Sequence, residues 1–449
     1  MMKKIFHLLI IFRVCLVTLP VLASQNQITF WTIEMETERL KVQREIAQAF
    51  TNKTGIDVQV VPVEENHLAD EVNIADAAKR LPDVLFHPID FTFGWIDAGI
   101  LDARSATEVV NDLGKETFGS GALKIAGFSG GYAAVPADGW GQLLFFRKDL
   151  FQEKGLGVPD NWESILGAAQ VLHNPPLVWG FEIATDPSTI YTQQVFEHLA
   201  LSNGVRLIGA TGNIELNTPE MIRTLKFYKA LAGFAPRGNL NWQHTRRDYM
   251  SGHAAMIIWS PFILDELSGL RQELPVVPDI MKGEPGYLAK NTGIVAILKG
   301  PQGAAQYGQI NCLGITRDAN KALAKQWVEY LLSDGYLTWL GMAPEGKLPI
   351  RKGTRHLPRR FIDGWLELTF GVTKQAKMSE YYGRDMVKTI IDGVDGFDRW
   401  GFPKEKGTLV SKIYATKIIP EILKQCLDGK LSAEQAARMM DERVKALSP

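Results

Sequence analysis

Between residues 27 and 98 the chain switches repeatedly between a two-residue and a helical hydrophobic period, and this restricts its folds more than any other feature. Residues 27–33 (QITFWTI) are rich in β-branched and aromatic side chains and read as a strand. Residues 38–50 place Leu40, Ile46, Ala47 and Phe50 on one face of a helix. Gly55 ends the connection and 56–63 read as a second strand, 67–79 as a helix, 83–86 as a third strand and 91–98 as a helix. Strands alternating with helices build a parallel sheet covered by helices, so the fold class is α/β. In such sheets ligands bind beyond the carboxyl ends of the strands. Glu34, Met35, Glu36, Glu64, Glu65, His87 and Asp90 fall at those ends.

A second organising stretch covers residues 130–166. Tyr132-Ala133-Ala134-Val135-Pro136 is an apolar strand, which Ala137-Asp138-Gly139-Trp140-Gly141 is expected to break, with two glycines around one large ring. Leu143-Leu144-Phe145-Phe146 resumes as a strand and leads into a short helix stopped by Gly155; Asp160 or Asn161 caps the next helix. A strand that breaks and resumes in this way can pass from one structural unit to another. Further on, strands are expected over 178–183, 254–259, 293–298 and 307–315, helices over 191–202, 219–231 and 319–332, a short extended piece at 348–351, and mostly helix to 447.

The chain has 449 residues, enough for two or three domains with sizeable cores. Its formal net charge of −1 gives no basic excess for nucleic acid and no acidic tail. Residues 1–23 read as a cleavable export signal: Lys3 and Lys4 open it, 5–22 are mostly apolar, and Val21-Leu22-Ala23 supplies small residues for cleavage. Phe12-Arg13-Val14 before Cys15 is unlike a lipid-attachment site. After cleavage only Cys312 and Cys426 remain, and two buried free thiols fit that wide spacing better than a disulfide. The expectation is a protein exported to the periplasm.

Several motifs fail on context. Gly127-Phe128-Ser129-Gly130-Gly131 has the spacing of a serine-hydrolase elbow but leads into a strand instead of a helix. The segment 341–347 approaches a phosphate-binding loop, yet Leu348 stands where Ser or Thr is required. Asp392, Asp395 and Asp398 lack the alternate-residue spacing of a calcium loop, and the eight histidines show no metal-ligand spacing. No cofactor and no metal are expected. For any one of the eleven tryptophans a place in a core is the ordinary outcome. Trp140 and Trp259 stand out because each lies at a strand end beside a helix-breaking residue. Flat rings facing a cleft can cover the apolar faces of sugar rings, while a few placed polar groups take the hydroxyls.

Gly131-Tyr132 through Val135-Pro136, then Leu144-Phe145-Phe146-Arg147-Lys148-Asp149-Leu150-Phe151, Gly155-Leu156, Pro159 and Asn161-Trp162-Glu163 form an ordered set. Tyr249-Met250-Ser251-Gly252-His253-Ala254-Ala255-Met256, the segment 324–333 (AKQWVEYLLS) and Leu348-Pro349-Ile350-Arg351-Lys352 follow in order. Together they resemble the extracellular solute-binding proteins of carbohydrate ABC transporters, the maltose-binding-protein-like group, over nearly the whole chain after the signal.

The resemblance implies a type II periplasmic-binding-protein fold: two α/β lobes joined by three hinge crossings, with the ligand cleft between them. It places lobe 1 at 24–137 and 311–343, lobe 2 at 141–306 and 349–449, and the crossings at about 135–141, 306–311 and 341–350. The ligand contacts it implies are Glu34, Glu65 and Asp90 from the first lobe, with Trp140, Trp259, Ser260, Tyr307, Gly308 and Arg351. Many relatives have two glycines at the second crossing; here Tyr307-Gly308 stands there, so Tyr307 is expected to reshape the pocket. The implied role is a monomeric, non-enzymatic receptor that captures a sugar, glycoside or short oligosaccharide and delivers it to an ABC permease in the inner membrane. Alternatives are the same receptor with a polyol, glycerol-phosphate ester or polyamine, and, more remotely, a secreted glycoside hydrolase using Glu64, Glu65 and Asp90.

Overall fold

The computed structural model describes residues 26–271, 284 and 286–448. The expected signal, 1–23, lies outside them. Gln27–Thr32 pairs in parallel with Asp57–Pro62 on one side and with Val84–Pro88 on the other, as the alternating pattern requires. The sheet then becomes mixed: the long strand Gly303–Ile315 runs antiparallel to Val84–Pro88 and to Val135–Gly141, and Leu348–Pro349 closes the edge. A separate three-stranded antiparallel sheet, Met256–Trp259, Leu143–Arg147 and Thr292–Val295, lies in the second lobe. Leu143, Leu144 and Phe145 are fully buried in it. The strand expected over 178–183 reduces to single bridges, Trp179 to Ala254 and Glu182 to Ile257. Cys312 and Cys426 are both buried and unbridged. Among the described residues no helix is long and apolar enough to cross a membrane.

The Gly-Trp-Gly unit does not break its strand. Val135–Gly141 runs straight through it, and the interruption comes at Gln142. The glycines serve close approach instead. A Cβ on Gly139 would lie 2.3 Å from the Gln309 carbonyl oxygen, and one on Gly141 would lie 2.3 Å from the Gln306 amide. Gly139 therefore admits the backbone of the neighbouring strand, and Gly141 admits the Gln306 side chain and the Phe397 ring.

Asp138 joins the three expected crossings. Its carboxylate is fully buried. It accepts from Asn311 Nδ2 at 2.8 Å, from Lys347 Nζ at 3.0 Å and from Trp339 Nε1 at 2.7 Å. Lys347 is itself buried, reaches Glu34 at 2.5 Å, and lies over the rings of Phe86 and Trp339. Burial alone would favour the neutral amine, but Asp138 and Glu34 outweigh it and raise the Lys347 pKa. Removing one member of such a group strands the others without water or counter-charge. Asp138→Ala is therefore expected to lower stability by about 3–5 kcal/mol, measured by chemical denaturation; a loss below about 1 kcal/mol would show that the group is not tightly coupled.

The carboxyl-terminal region bridges both halves. Phe402 packs against Phe93, with ring centres 5.7 Å apart, Ser411 Oγ donates to the Asp90 carbonyl at 2.5 Å and Thr408 Oγ1 donates to Asp97 at 2.8 Å. The helix Gly407–Thr416 thus rests on the first-lobe helix Ile89–Asp97, while Lys229 of the second lobe donates to the Cys426 carbonyl at 2.8 Å. In the second lobe Glu182 is fully buried. Burial, and then the neighbouring Asp248 carboxylate, push its carboxyl well above the ordinary range. The unfolded chain ionises near the ordinary value of 4.5 while the folded chain keeps the proton. Glu182 thus contributes stability below that pH and loses it as pH rises. Between pH 5 and 8 the wild type should lose stability relative to Glu182→Gln, as read by urea unfolding at both pH values; parallel curves would contradict this.

Candidate functional site

A pocket of about 460 Å³ opens between the end of the strand Val135–Gly141 and the end of the strand Met256–Trp259. Its walls are aromatic. Trp259 ends the strand Met256–Trp259, paired with Leu143, and the chain then turns at Ser260-Pro261 into a short 3₁₀ helix. Its ring stacks on Trp242 with centres 5.5 Å apart and planes 11° apart. Tyr191 meets Trp259 edge-on at 4.9 Å, and its hydroxyl donates to the Ile258 carbonyl at 2.6 Å. Trp242 is held from behind: Asn241 caps its helix, and Arg246 lies 4.7 Å from the ring centre and pairs with Glu266 at 2.9 Å. Trp140 and Phe262 complete the apolar lining.

Behind Trp140 is a buried charged stack. Tyr307 is fully buried, its ring centre 6.2 Å from that of Trp140. On Tyr307 rests the Arg399 guanidinium, 4.6 Å from the ring centre. Arg399 donates to Gln309 and, at 3.2 Å, to Asp90, with Glu197 at 3.6 Å. The Tyr414 hydroxyl links Glu197 (2.9 Å) and the Tyr307 hydroxyl (3.2 Å).

The three acidic candidates gather on the first-lobe side. Glu34 pairs with Arg39 at 2.7 Å and with Lys347. Burial opposes its ionisation, but Lys347 and Arg39 more than compensate and hold the carboxyl down at about 2. Asp90 accepts from Gln309 Nε2 at 2.6 Å and from Arg399. Glu65 is exposed, yet desolvation and then the charges of Asp90, Glu34 and Glu64 raise its carboxyl pKa. None of the three lines the aromatic pocket.

The model of the bacterial extracellular solute-binding protein family matches residues 36–337. The chain belongs to the bacterial extracellular solute-binding proteins. A curated relative, "Putative ABC transporter periplasmic-binding protein YcjN" of Escherichia coli (strain K12), is 30% identical over 333 residues, covering 72% of this chain and 73% of the relative. Among solved structures, the sugar-binding protein MalE from the phytopathogen Xanthomonas citri superposes with a TM-score of 0.72 at 19% identity, covering 94% of this chain and 97% of that one. Maltose-bound MalE3 of T. maritima superposes with a TM-score of 0.66 at 20% identity, covering 94% and 99%. The shared fold is the two-lobed type II binding-protein architecture.

In this solute-binding protein the expected contacts separate into groups. Trp140, Trp259 and Ser260 share the pocket. Tyr307 supports Trp140 from behind and does not itself line the pocket, because its ring is enclosed between Trp140 and Arg399. Gly308 also faces elsewhere: a Cβ there would fall 2.2 Å from the Phe397 ring, so its role is to admit Phe397. Arg351 is likewise placed away from this pocket. Its guanidinium is buried and donates to the Leu332 carbonyl (2.6 Å), the Leu113 carbonyl (3.0 Å), Ser333 Oγ (3.0 Å) and Thr117 Oγ1 (3.1 Å). With its donors so engaged, Arg351 fastens the third crossing to the helix ends beside it.

The pocket also contains residues that the sequence did not single out: Tyr191, Gln194, Trp242, Phe262 and Lys417. Trp242 follows a clear capping asparagine, but nothing in the sequence indicates that its helix starts beside Trp259. Arg351→Ala should lower stability by roughly 3 kcal/mol, because it leaves buried carbonyls unpaired, and should leave the affinity of the folded protein for its ligand within about twofold. Calorimetry beside chemical denaturation separates the two effects; a large affinity loss at unchanged stability would return Arg351 to the binding site.

Proposed function

We propose that the protein is an exported, monomeric receptor for a sugar, glycoside or short oligosaccharide, which it delivers to an ABC permease in the inner membrane. The observation that carries this is the pocket itself: Trp140, Trp242 and Trp259 present flat rings, with Ser260 and Gln194 as polar groups among them. Rings of this kind take the apolar face of a pyranose, and the polar groups take its hydroxyls. The family membership and the maltose-bound structural relative support the same reading. A polyamine would need carboxylates against its ammonium groups, and none is among the described residues of this pocket. The same lining supports binding over glycoside hydrolysis, which needs two carboxyl groups flanking the bond to be cut.

The proposed cycle is a population shift. Lobe 1 comprises 24–137 and 311–343, lobe 2 comprises 141–306 and 349–449, and bending occurs at the crossings 135–141, 306–311 and 341–350. Ligand on the aromatic wall favours the closed form because only there do groups of the first lobe also reach it. The permease then recognises the closed form. Micromolar affinity corresponds to about 8 kcal/mol, within reach of two stacked rings and several hydrogen bonds worth about 1 kcal/mol each.

A thermal-shift survey of neutral and acidic saccharides identifies ligands, since a molecule bound only to the folded form raises its melting temperature. Trp259→Ala should then weaken the strongest ligand by at least about tenfold, equivalent to about 1.4 kcal/mol, without loss of folding. Unchanged affinity by calorimetry would remove the aromatic pocket from the binding site.

A further inference from the structure

We propose that the saccharide this receptor takes carries an acidic group, a carboxylate of the uronic acid type, held by Lys417 at the edge of the aromatic pocket. The proposal rests on the sugar-receptor reading above and specifies its substrate class. Lys417 lines the pocket beside the tryptophans, and it makes no ion pair or side-chain hydrogen bond among the described residues. It is the only charged side chain among the described residues of the lining. Its backbone is left-handed, with φ 53°, at the junction between the helices Gly407–Thr416 and Ile418–Leu427. A residue with a Cβ is disfavoured in that conformation, where glycine would be at ease. A lysine held there, partly withdrawn from water and unpaired, leaves a cation for which the protein supplies no counter-ion.

The other polar atoms of the pocket are suited to the same task. Ser260 is 2% exposed, and its hydroxyl has no hydrogen-bond partner among the described residues. Trp259 Nε1 is buried without an acceptor. Gln194 accepts weakly from Gln142 at 3.4 Å, which leaves its amide hydrogens to donate. The helix Ile190–Ser202 begins at the pocket without a side-chain cap on its first amides, because the Thr189 hydroxyl turns back to the Asp186 carbonyl. One oxygen of the Asp186 carboxylate accepts from both the Ser188 amide and its hydroxyl. A pocket equipped with one cation and several free donors is matched by an anion that accepts from them.

Charge count favours a carboxylate over a phosphate ester. Among the described residues of the lining one cation is available, and of those behind it Arg246 is committed to Glu266 and Arg399 to Asp90 and Glu197. The acidic group on the first-lobe side lies outside this pocket, with Glu34 and Asp90 already paired to cations. Lys417 lies beyond the residues matched by the family model, which end at 337.

The test is calorimetry on the mature protein with matched ligands: gluco-, galacto- and mannuronate mono- and disaccharides, their neutral counterparts, and the corresponding sugar phosphates. The wild type should bind at least one uronate about tenfold more tightly than its neutral counterpart, with a preference that shrinks as salt rises. Lys417→Gly suits the backbone at that position and removes the charge, and it should erase most of the preference; Lys417→Arg should retain part of it. Equal or tighter binding of neutral sugars, or a preference that persists in Lys417→Gly, would overturn the assignment. Tighter binding of a sugar phosphate would overturn the carboxylate specifically. If no saccharide of either charge binds, the sugar-receptor reading itself fails.

Discussion

The buried carboxylate of Asp138 is the interaction on which the rest of the structure depends. Three chain segments meet there, the strand of Asp138 itself, the strand that brings Asn311, and the stretch 339–347 that brings Trp339 and Lys347. A buried ion pair of this kind contributes little net stability compared with a well-packed apolar alternative. Its value is in specifying arrangement. An apolar contact at this point would tolerate sliding of one strand past another, whereas a carboxylate with assigned partners does not. The register of Val135–Gly141 against Gly303–Ile315 is thereby set beside the shift at Asn311–Cys312.

From that fixed point the two sides of the molecule take different chemistry. The first-lobe strand ends carry carboxylates, and most of their charge is absorbed by Arg39, Lys347 and Arg399. The second lobe presents tryptophan faces with unpaired donors between them. The Trp140–Tyr307–Arg399 stack connects the two: one ring borders the pocket, the next is buried, and the cation behind it reaches Asp90 of the first lobe. Any displacement of Trp140 must be felt by a group that also contacts the opposite lobe.

Much of this was legible in the sequence. The alternation of strand and helix periods gave the parallel strands 27–32, 57–62 and 84–88. Trp140 and Trp259 were recognisable from their position at strand ends. What escaped was whatever depends on distant contact. Gly139 and Gly141 look like strand breakers until the strand beside them is known. Arg351 looks like a ligand contact because a charged residue after a short strand gives no sign of the carbonyls that will surround it. Trp242 and Lys417 reach the pocket through the packing of whole helices, and local pattern carries no record of that. Glu182 reads as an ordinary strand carboxylate, and only its enclosure beside Asp248 reveals that it stays protonated.

The close contacts at Gly139 and Gly141 lie just before the chain changes sheets. At Gly139 the two strands meet backbone to backbone, and their pairing continues on either side with one register shift at Asn311–Cys312. The ladder ends at Gln142, whose amide hydrogen is still tied to the Tyr307 carbonyl at 3.0 Å, and the chain passes there from the large mixed sheet into the three-stranded one. One residue, Gln142, thus separates the strand that glycine lets lie against its neighbour from the strand buried in the other sheet, and the change of sheet is made in a single step of the chain.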